Sequence, residues 1–377
     1  METKVEFKSK KLLRPNYRRY ILNTIVSIAF IFILSLTSKS LDFKIIVPQM
    51  IIFAIAALSL NIVCGCLGEM ALGHGGFMLV GGIIASYVSQ KIYQVIMDTN
   101  SYTSANMREL VYNIMGNELH PTGYVIVIVA VLVGALITGL IGYIIGLAVM
   151  GRMKGDYLAI ITLGIGLVFV TAANNIDEID GFKYGIDGPV YFSKIAGNTI
   201  IFASFLVITL VGLVLLFKSR HGRAILSIRE DAIASAASGI PVKKYKIFTF
   251  ALSAGIAGLA GGLYYHFASS LGTNLFAQDR SIELLVFVVL GGLGSFTGTI
   301  LSTVVLTFIS YKLLLNSPGG YQQLIYGVIL ILIMLLKPNG LMGTGELTWD
   351  GMKSFLKKIF NKIFKKKAKV EQEENYE

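Results

Sequence analysis

The sequence predicts an all-α integral membrane protein with about ten transmembrane helices, some of them broken, and one short helix in a cytoplasmic loop. Of the 377 residues, 54% are hydrophobic and only 15% are charged, against about 25% charged residues in typical soluble domains. Tyr124–Met150 and Ile200–Phe217 contain no charge at all, and about 20 apolar residues cross a bilayer as a helix. These apolar runs are long and continuous, whereas a porin-like barrel has short alternating segments.

Ten apolar segments are long enough to be considered as spans, and we expect their bounds to be approximate. The region from Ile282 to Leu314 is either one long helix or two short helices that meet at "GGLGSFTG", and the charge distribution favours two. The predicted spans are Tyr20–Leu36, Ile45–Gly65, Leu72–Ser89, Tyr124–Met150, Tyr157–Ala173, Thr199–Phe217, Ile247–Ser269, Ile282–Ser295, Gly298–Leu314 and Tyr321–Leu336.

The positive charge is concentrated beside the apolar segments. The formal net charge is +11, and basic blocks next to spans are the pattern that the positive-inside bias produces on the cytoplasmic side. This placement disfavours nucleic acid as a partner. We expect a cytoplasmic basic N-terminus over residues 1–19 and an uncleaved first helix. A transmembrane domain over residues 20–343 would follow, with a basic cytoplasmic tail over residues 344–377. The amphipathic "FLKKIFNKIFKKK" of that tail predicts contact with anionic lipid.

Glycine clusters occur inside the predicted spans, in "GCLGEMALGHGGF", "GIAGLAGG" and "VVLGGLGSFTG". Small residues allow transmembrane helices to approach closely, so tight packing is one interpretation. The other is that the first and third clusters mark broken helices around a central path, since interrupted apolar segments are typical of transport proteins. The two interpretations are compatible.

The loop over residues 218–246 contains an Ala/Ser-rich segment with defined ends. Asp231 is placed to accept hydrogen bonds from the first turn of a helix over "AIASAAS". Gly239 can adopt the left-handed conformation that ends it, and Pro241 prevents continuation. A short helix over "GRAILSIRE" precedes it. The small side chains suit docking into a groove on another protein, although an ordinary connector between two spans is the alternative.

Motifs for catalysis or metal binding are missing from the sequence. It has no G-x-x-x-x-G-K-[ST] loop, H-E-x-x-H motif or nucleophile elbow, and Cys64 and Cys66 lack the spacing of a disulfide framework or a zinc site. We therefore expect no catalytic residue, no metal ligand and no cofactor in this chain.

The segment "SRHGRAILSIREDAIASAASGIPVKKYK" resembles the cytoplasmic loop of ABC importer permeases of the branched-chain amino acid class. Five other stretches also match, and the six occur along the chain in the order of the family. They are "LSLNIVCGCLGEMALGHGGF", "GDYLAIITLGIG", "FALSAGIAGLAGGLY", "SIELLVFVVLGGLGSFTGT" and "YGVILILIMLLKPNGLMG". The resemblance covers Ile46 to Gly343 and is greatest to the longer, M-type permease of the pair. It implies a coupling helix, matching Glu230–Gly239, that seats in an ATPase subunit.

The resemblance also implies the partners and the location. They are a second homologous permease, two ATPase subunits that hold ATP and magnesium, and an extracellular or periplasmic substrate-binding protein, all at the cell membrane. Residues that we expect at the ATPase joint are Arg223, Ile228, Arg229, Glu230, Asp231, Ile233, Ala234, Ala237 and Gly239.

Polar residues inside spans are costly, about 2.5–3.5 kcal/mol for a charge at the centre on insertion scales, so they are candidates for the translocation path. Candidates in this chain are Glu69, His74, Thr162 and Glu283, although the Thr162 hydroxyl could instead bond the helix backbone.

The sequence departs from the family at positions that bear on the cargo. The family usually has Gln at the position of Glu69 and often Glu at that of Leu167, and it has Thr-Gly-Gly where this chain has Asp180-Gly181-Phe182. A permease for urea, a nucleoside or a sugar is therefore an alternative. An ion-coupled secondary transporter is less favoured, because it would need buried acidic relays in several central spans. A membrane enzyme has no supporting constellation.

Overall fold

The structure, a computed structural model, describes residues 41–99, 121–151, 153, 155–175, 186–187, 199–268 and 270–314, with a few positions between 327 and 340. The predicted first span Tyr20–Leu36, the residues Asp180–Phe182 and the basic tail lie outside the described residues, as does most of Tyr321–Leu336.

The described chain is helical apart from short connections. Its helices are α1 (Leu41–Asn61), α2 (His74–Thr99), α3 (Pro121–Val149), α4 (Asp156–Asn175), α5 (Thr199–Lys218), α6 (Arg220–Glu230), α7 (Ala232–Ala237), α8 (Val242–Phe267), α9 (Gln278–Gly291) and α10 (Phe296–Leu314). A π-helix, Ile62–Leu67, continues α1, and a 3-10 helix covers Thr273–Phe276. Two-residue strands, β1 (Ile186–Asp187) and β2 (Ser270–Leu271), pair antiparallel with Ile186 opposite Leu271.

Five helical segments within the described ranges are long and apolar enough to cross a membrane. They are Ile46–Leu67, Val125–Val149, Asp156–Asn175, Thr199–Lys218 and Val242–Phe267. Each overlaps a predicted span, which confirms the all-α membrane class. Helix α9 has 14 residues, or about 21 Å at 1.5 Å per residue, which is shorter than the hydrocarbon thickness of about 30 Å. It cannot cross a bilayer alone.

Helix α1 lies at the centre of the bundle. Every residue from Met50 to Leu67 is buried, and the helix packs against α8, α10, α5 and α9. Aromatic side chains fill the surrounding core, with the ring centroids of Phe77 and Phe250 5.6 Å apart. A buried central helix surrounded by lipid-facing helices explains why this segment is apolar on all sides.

The second glycine cluster forms a close contact within unbroken helices. Gly258 of α8 faces Gly81 of α2, and a Cβ added at Gly261 would lie 2.8 Å from the Cα of Met78. Backbone at this distance leaves no room for a side chain. The cluster therefore serves packing between α2 and α8, as the first interpretation predicted.

The first and third clusters are breaks in helices, as the second interpretation predicted. The first break follows the π-helix: Gly68 has φ +80° and regular helix resumes only at His74. In the second break, Gly292 and Gly294 have φ of +113° and +91° between the end of α9 and the start of α10. Glycine adopts these values without steric cost. The predicted break within Ile282–Leu314 is thus confirmed, whereas separate spans at Ile282–Ser295 and Gly298–Leu314 stay a prediction.

Candidate functional site

The loop between α5 and α8 folds into two short helices with capped ends. Ser219 Oγ accepts hydrogen bonds from the backbone N–H groups of His221 and Gly222 at the start of α6. Asp231 Oδ1 accepts from Ile233 N at 2.8 Å and Ala234 N at 3.0 Å at the start of α7. Gly239, with φ +83°, follows α7. The sequence predicted the Asp231 cap and the glycine stop, and both are present.

Helix α7 presents small apolar side chains to the outside of the described chain. Ile233 is 82% exposed, and Ala234 and Ala237 are exposed beside it. The opposite side of α7 is held by Ser235, which is buried and donates from Oγ to Ser227 Oγ of α6 at 3.2 Å. An exposed isoleucine among alanines is a surface that a partner with a complementary groove can cover.

The polar residues predicted at this joint are placed around α6. Arg223 is exposed, and its Nη1 donates to the backbone carbonyl of Lys218 at 2.9 Å. Glu230 is exposed at the end of the helix. Their contact with an ATPase stays a prediction.

The inner side of α6 packs on the first break. Ile225 and Ile228 form a small apolar cluster with Leu67, the last residue of the π-helix. Ile228 is 4% exposed. Of the two isoleucines expected at the ATPase joint, Ile228 is therefore covered by this chain itself, whereas Ile233 is exposed.

Arg229 links α6 to both breaks. Its Nη1 donates to the carbonyl oxygen of Gly65 at 2.5 Å. Cβ atoms added at Gly68 and Gly294 would lie 3.1 Å from Arg229 Cγ and 2.7 Å from Arg229 Nη1, respectively. The guanidinium thus lies between the π-helix and the second break. Glycine at these two positions makes room for it.

Lys246 and Glu69 form a hydrogen-bonded ion pair between the first turns of α8 and the first break. Their side chains are 10% and 11% exposed, so each charge has lost most of its water and depends on the other. Glu69 was predicted in the translocation path, and that assignment stays a prediction. Sequence reasoning missed Lys246, because one lysine within a basic block gives no signal of a specific partner.

Two other path candidates are bonded inside the bundle. His74 is 1% exposed, and its Nε2 is 2.6 Å from Ser253 Oγ. Because Ser253 donates its hydrogen to the carbonyl of Ser59 at 2.5 Å, we infer that His74 Nε2 carries the proton and donates to Ser253. Thr162 Oγ1 accepts from Leu72 N at 2.9 Å and donates to the carbonyl of Ala159 at 3.0 Å. Contact of either residue with cargo stays a prediction.

Glu283 lies in an ion pair near the start of α9. It is 7% exposed and pairs with Arg280, whose guanidinium carbon lies 4.5 Å from the ring centroid of Phe53. The pairing and the aromatic face together reduce the cost of burying both charges. Its role in the path stays a prediction.

Within the described ranges, no group of three or more His, Cys, Asp or Glu side chains is placed to hold a metal ion. The loop over residues 218–246 contacts the two breaks through Leu67, Arg229 and the Lys246–Glu69 ion pair, while Ile233 of α7 stays exposed.

Residues 43–334 match a family described as "Branched-chain amino acid transport system / permease component". Among curated proteins, the chain is 28% identical over 321 residues to the high-affinity branched-chain amino acid transport system permease protein LivM of Escherichia coli. That match covers 77% of this chain and 68% of the relative. No solved structure matches the chain.

Two further relatives extend the comparison. The probable branched-chain amino acid transport permease protein LivM of Methanocaldococcus jannaschii is 26% identical over 82% of this chain and 96% of its own length. The ribose import permease protein RbsC of Haemophilus influenzae is 26% identical over 59% of this chain and 71% of its own length.

Proposed function

The chain belongs to the branched-chain amino acid transport permease family, and on that premise we propose that it forms the transmembrane path of an ABC importer for branched-chain amino acids. It is a multi-pass membrane protein. In this proposal the chain moves its cargo across the membrane, and separate ATPase subunits that hold ATP and magnesium supply the energy.

The observation that carries this proposal is the two-sided construction of the loop between α5 and α8. Its outer helix α7 exposes Ile233, while its inner helix α6 contacts the first break through Leu67 and Arg229. A connector between two spans needs neither an exposed apolar residue nor contacts to helix breaks. A loop that is moved by a partner subunit needs an exposed apolar residue to bind that partner and contacts to the breaks to pass the movement on.

The proposed assembly is the one that the family resemblance implies. Two ATPase subunits seat on the cytoplasmic side, one of them against α7. Both termini of this chain lie in the cytoplasm, which the basic blocks beside the spans favour. A second homologous permease completes the path, and an extracellular or periplasmic binding protein delivers the cargo. The basic tail lies against anionic lipid.

Branched-chain amino acids are the cargo that the comparisons favour, because the relatives named for them match 77–82% of the chain. The ribose permease supports a sugar as the second candidate, over a shorter match. The two proposals share the same coupling loop and differ only in cargo.

The test is uptake by the purified assembly reconstituted in vesicles, with radiolabelled leucine, ribose or urea presented with the cognate binding protein. We expect ATP-dependent leucine uptake, and loss of ATPase co-purification when residues 231–238 are replaced by a Gly/Ser linker. Membrane insertion of that variant should persist. Uptake by the purified chain alone under a sodium or proton gradient would instead establish a secondary transporter.

A further inference from the structure

Asn61 joins the end of α1 to the second break. Its side chain is 0% exposed. Nδ2 donates to the carbonyl of Ser295 at 3.0 Å and to Thr299 Oγ1 at 2.9 Å, while Oδ1 accepts from Gly294 N at 2.8 Å. Both amide hydrogens and the amide oxygen are therefore used. All three partners belong to the second break or the first turn of α10.

The backbones of the two breaks are in contact beside Asn61. A Cβ added at Gly65 would lie 2.9 Å from the Cα of Gly294, a separation that real Cβ atoms do not adopt. Gly65 and Gly294 must therefore lie backbone to backbone, and a movement of one displaces the other. The contact between Gly65 and Gly294 is made by backbone atoms and not by flexible side chains.

Arg229 bonds to this junction from outside the bundle. Gly65 lies in the last turn of the π-helix, where carbonyl groups have no helical donor. Arg229 Nη1 supplies a charged donor to the Gly65 carbonyl at 2.5 Å, and a cation is favoured at a helix C-terminus. Because Arg229 is in the last turn of α6, it lies directly before α7.

We propose that Arg229 and Asn61 are positioning residues that transfer the displacement of α6 and α7 to the second break, so that the two breaks move together during transport. The route is Arg229 to Gly65, and Gly65 with Asn61 to Gly294. This inference rests on the proposed function, since it needs an ATPase to move α7. The apolar contact of Leu67 with α6 permits sliding. The hydrogen bond from Arg229 to Gly65 and the hydrogen bonds between Asn61 and the second break are directional.

The experiment uses the complete assembly of both permeases, the ATPases and the binding protein in vesicles. It compares Arg229→Ala, Asn61→Leu and the double variant with two matched controls. Arg220→Ala removes an exposed arginine from the same helix. Thr138→Val removes a buried hydroxyl that bonds only the Gly134 carbonyl of its own helix among the bonds that the structure describes. Assembly, ATP hydrolysis and cargo taken up per ATP are measured for each.

We expect both single variants to assemble and hydrolyse ATP while uptake per ATP falls about tenfold, within the usual size of coupling between sites. Arg229→Lys, which keeps a charged donor, should recover part of the loss. The double variant should be no worse than the poorer single variant, because residues on one route are not additive. Both controls should keep the wild-type ratio.

Three results would overturn the proposal. Unchanged uptake per ATP in Arg229→Ala would show that α6 moves the second break without this bond. Losses that multiply in the double variant would place Arg229 and Asn61 on separate routes. Failure of Arg229→Ala alone to bind the ATPases would assign Arg229 to the partner contact. If Asn61→Leu does not fold, Thr299→Val replaces it, since it removes one acceptor of the Asn61 side chain and adds no atom between the breaks. Absence of ATPases from the wild-type preparation would refute the proposed function itself.

Discussion

Replacement of Asp231 tests whether α7 must be a helix in order to couple. Asp231→Ala removes the oxygen that accepts from Ile233 N and Ala234 N. Asp231→Asn keeps an oxygen at the same position and removes only the charge. Asparagine and aspartate cap helices about equally well, so the pair separates capping from electrostatics.

The magnitude follows from the length of α7. Loss of a Ser, Thr, Asn or Asp cap costs about 1 kcal/mol, which is about a fivefold change in the helix–coil equilibrium. Helix α7 has six residues, and helices this short are marginal without tertiary support. If the ATPase binds only the helical form, its apparent affinity falls with the helical fraction. We therefore expect up to about fivefold weaker ATPase binding for Asp231→Ala.

The assay is titration of purified ATPase onto the permease pair in detergent, with thermal unfolding of the permease as a control on folding. Asp231→Ala should weaken binding and Asp231→Asn should bind within about twofold of wild type, because the capping bonds persist. Equal losses in both variants would show that the charge contacts the partner. No loss in either would show that α7 is not the docking element.

Three other predictions concern the same loop. Ile233→Asp, at a side chain that is 82% exposed, should leave permease unfolding unchanged but weaken ATPase binding by about 2 kcal/mol or more, about 30-fold; a lower unfolding temperature would contradict this. Lys246→Met should destabilise the permease by about 1.5–3 kcal/mol in thermal or denaturant unfolding, because it leaves the Glu69 carboxylate unpaired, and adding Glu69→Leu should recover most of the loss. Gly239→Ala should cost about 1–2 kcal/mol of α7 stability from its positive φ alone, measured as weaker ATPase binding, since nothing lies within 4 Å of the new methyl group. The control Gly164→Ala, also in open space but with helical backbone, should be neutral or stabilising.

Sequence patterns predicted the structural elements that depend on residues close to them in the chain. The apolar runs identified the long helices, because a segment that lies in hydrocarbon must be apolar along its whole length. Asp231 and Gly239 identified the ends of α7, because a cap acts on backbone within three residues of itself. The glycine clusters indicated both breaks, since left-handed backbone at Gly292 and Gly294 requires glycine.

Local pattern did not identify the residues that connect these elements. Asn61 is one polar residue in an apolar helix, and its three bonds reach residues 233–238 positions away. Lys246 pairs with a carboxylate 177 residues earlier in the chain.

The sequence by itself therefore determined a membrane bundle with broken helices and a capped short helix in a loop, because spanning, capping and glycine conformation depend on neighbouring residues. Only the tertiary structure decided that Arg229 of this loop meets both breaks, at Gly65 and Gly294. Which backbones meet depends on how the helices pack, and packing brings together residues that no sequence spacing relates.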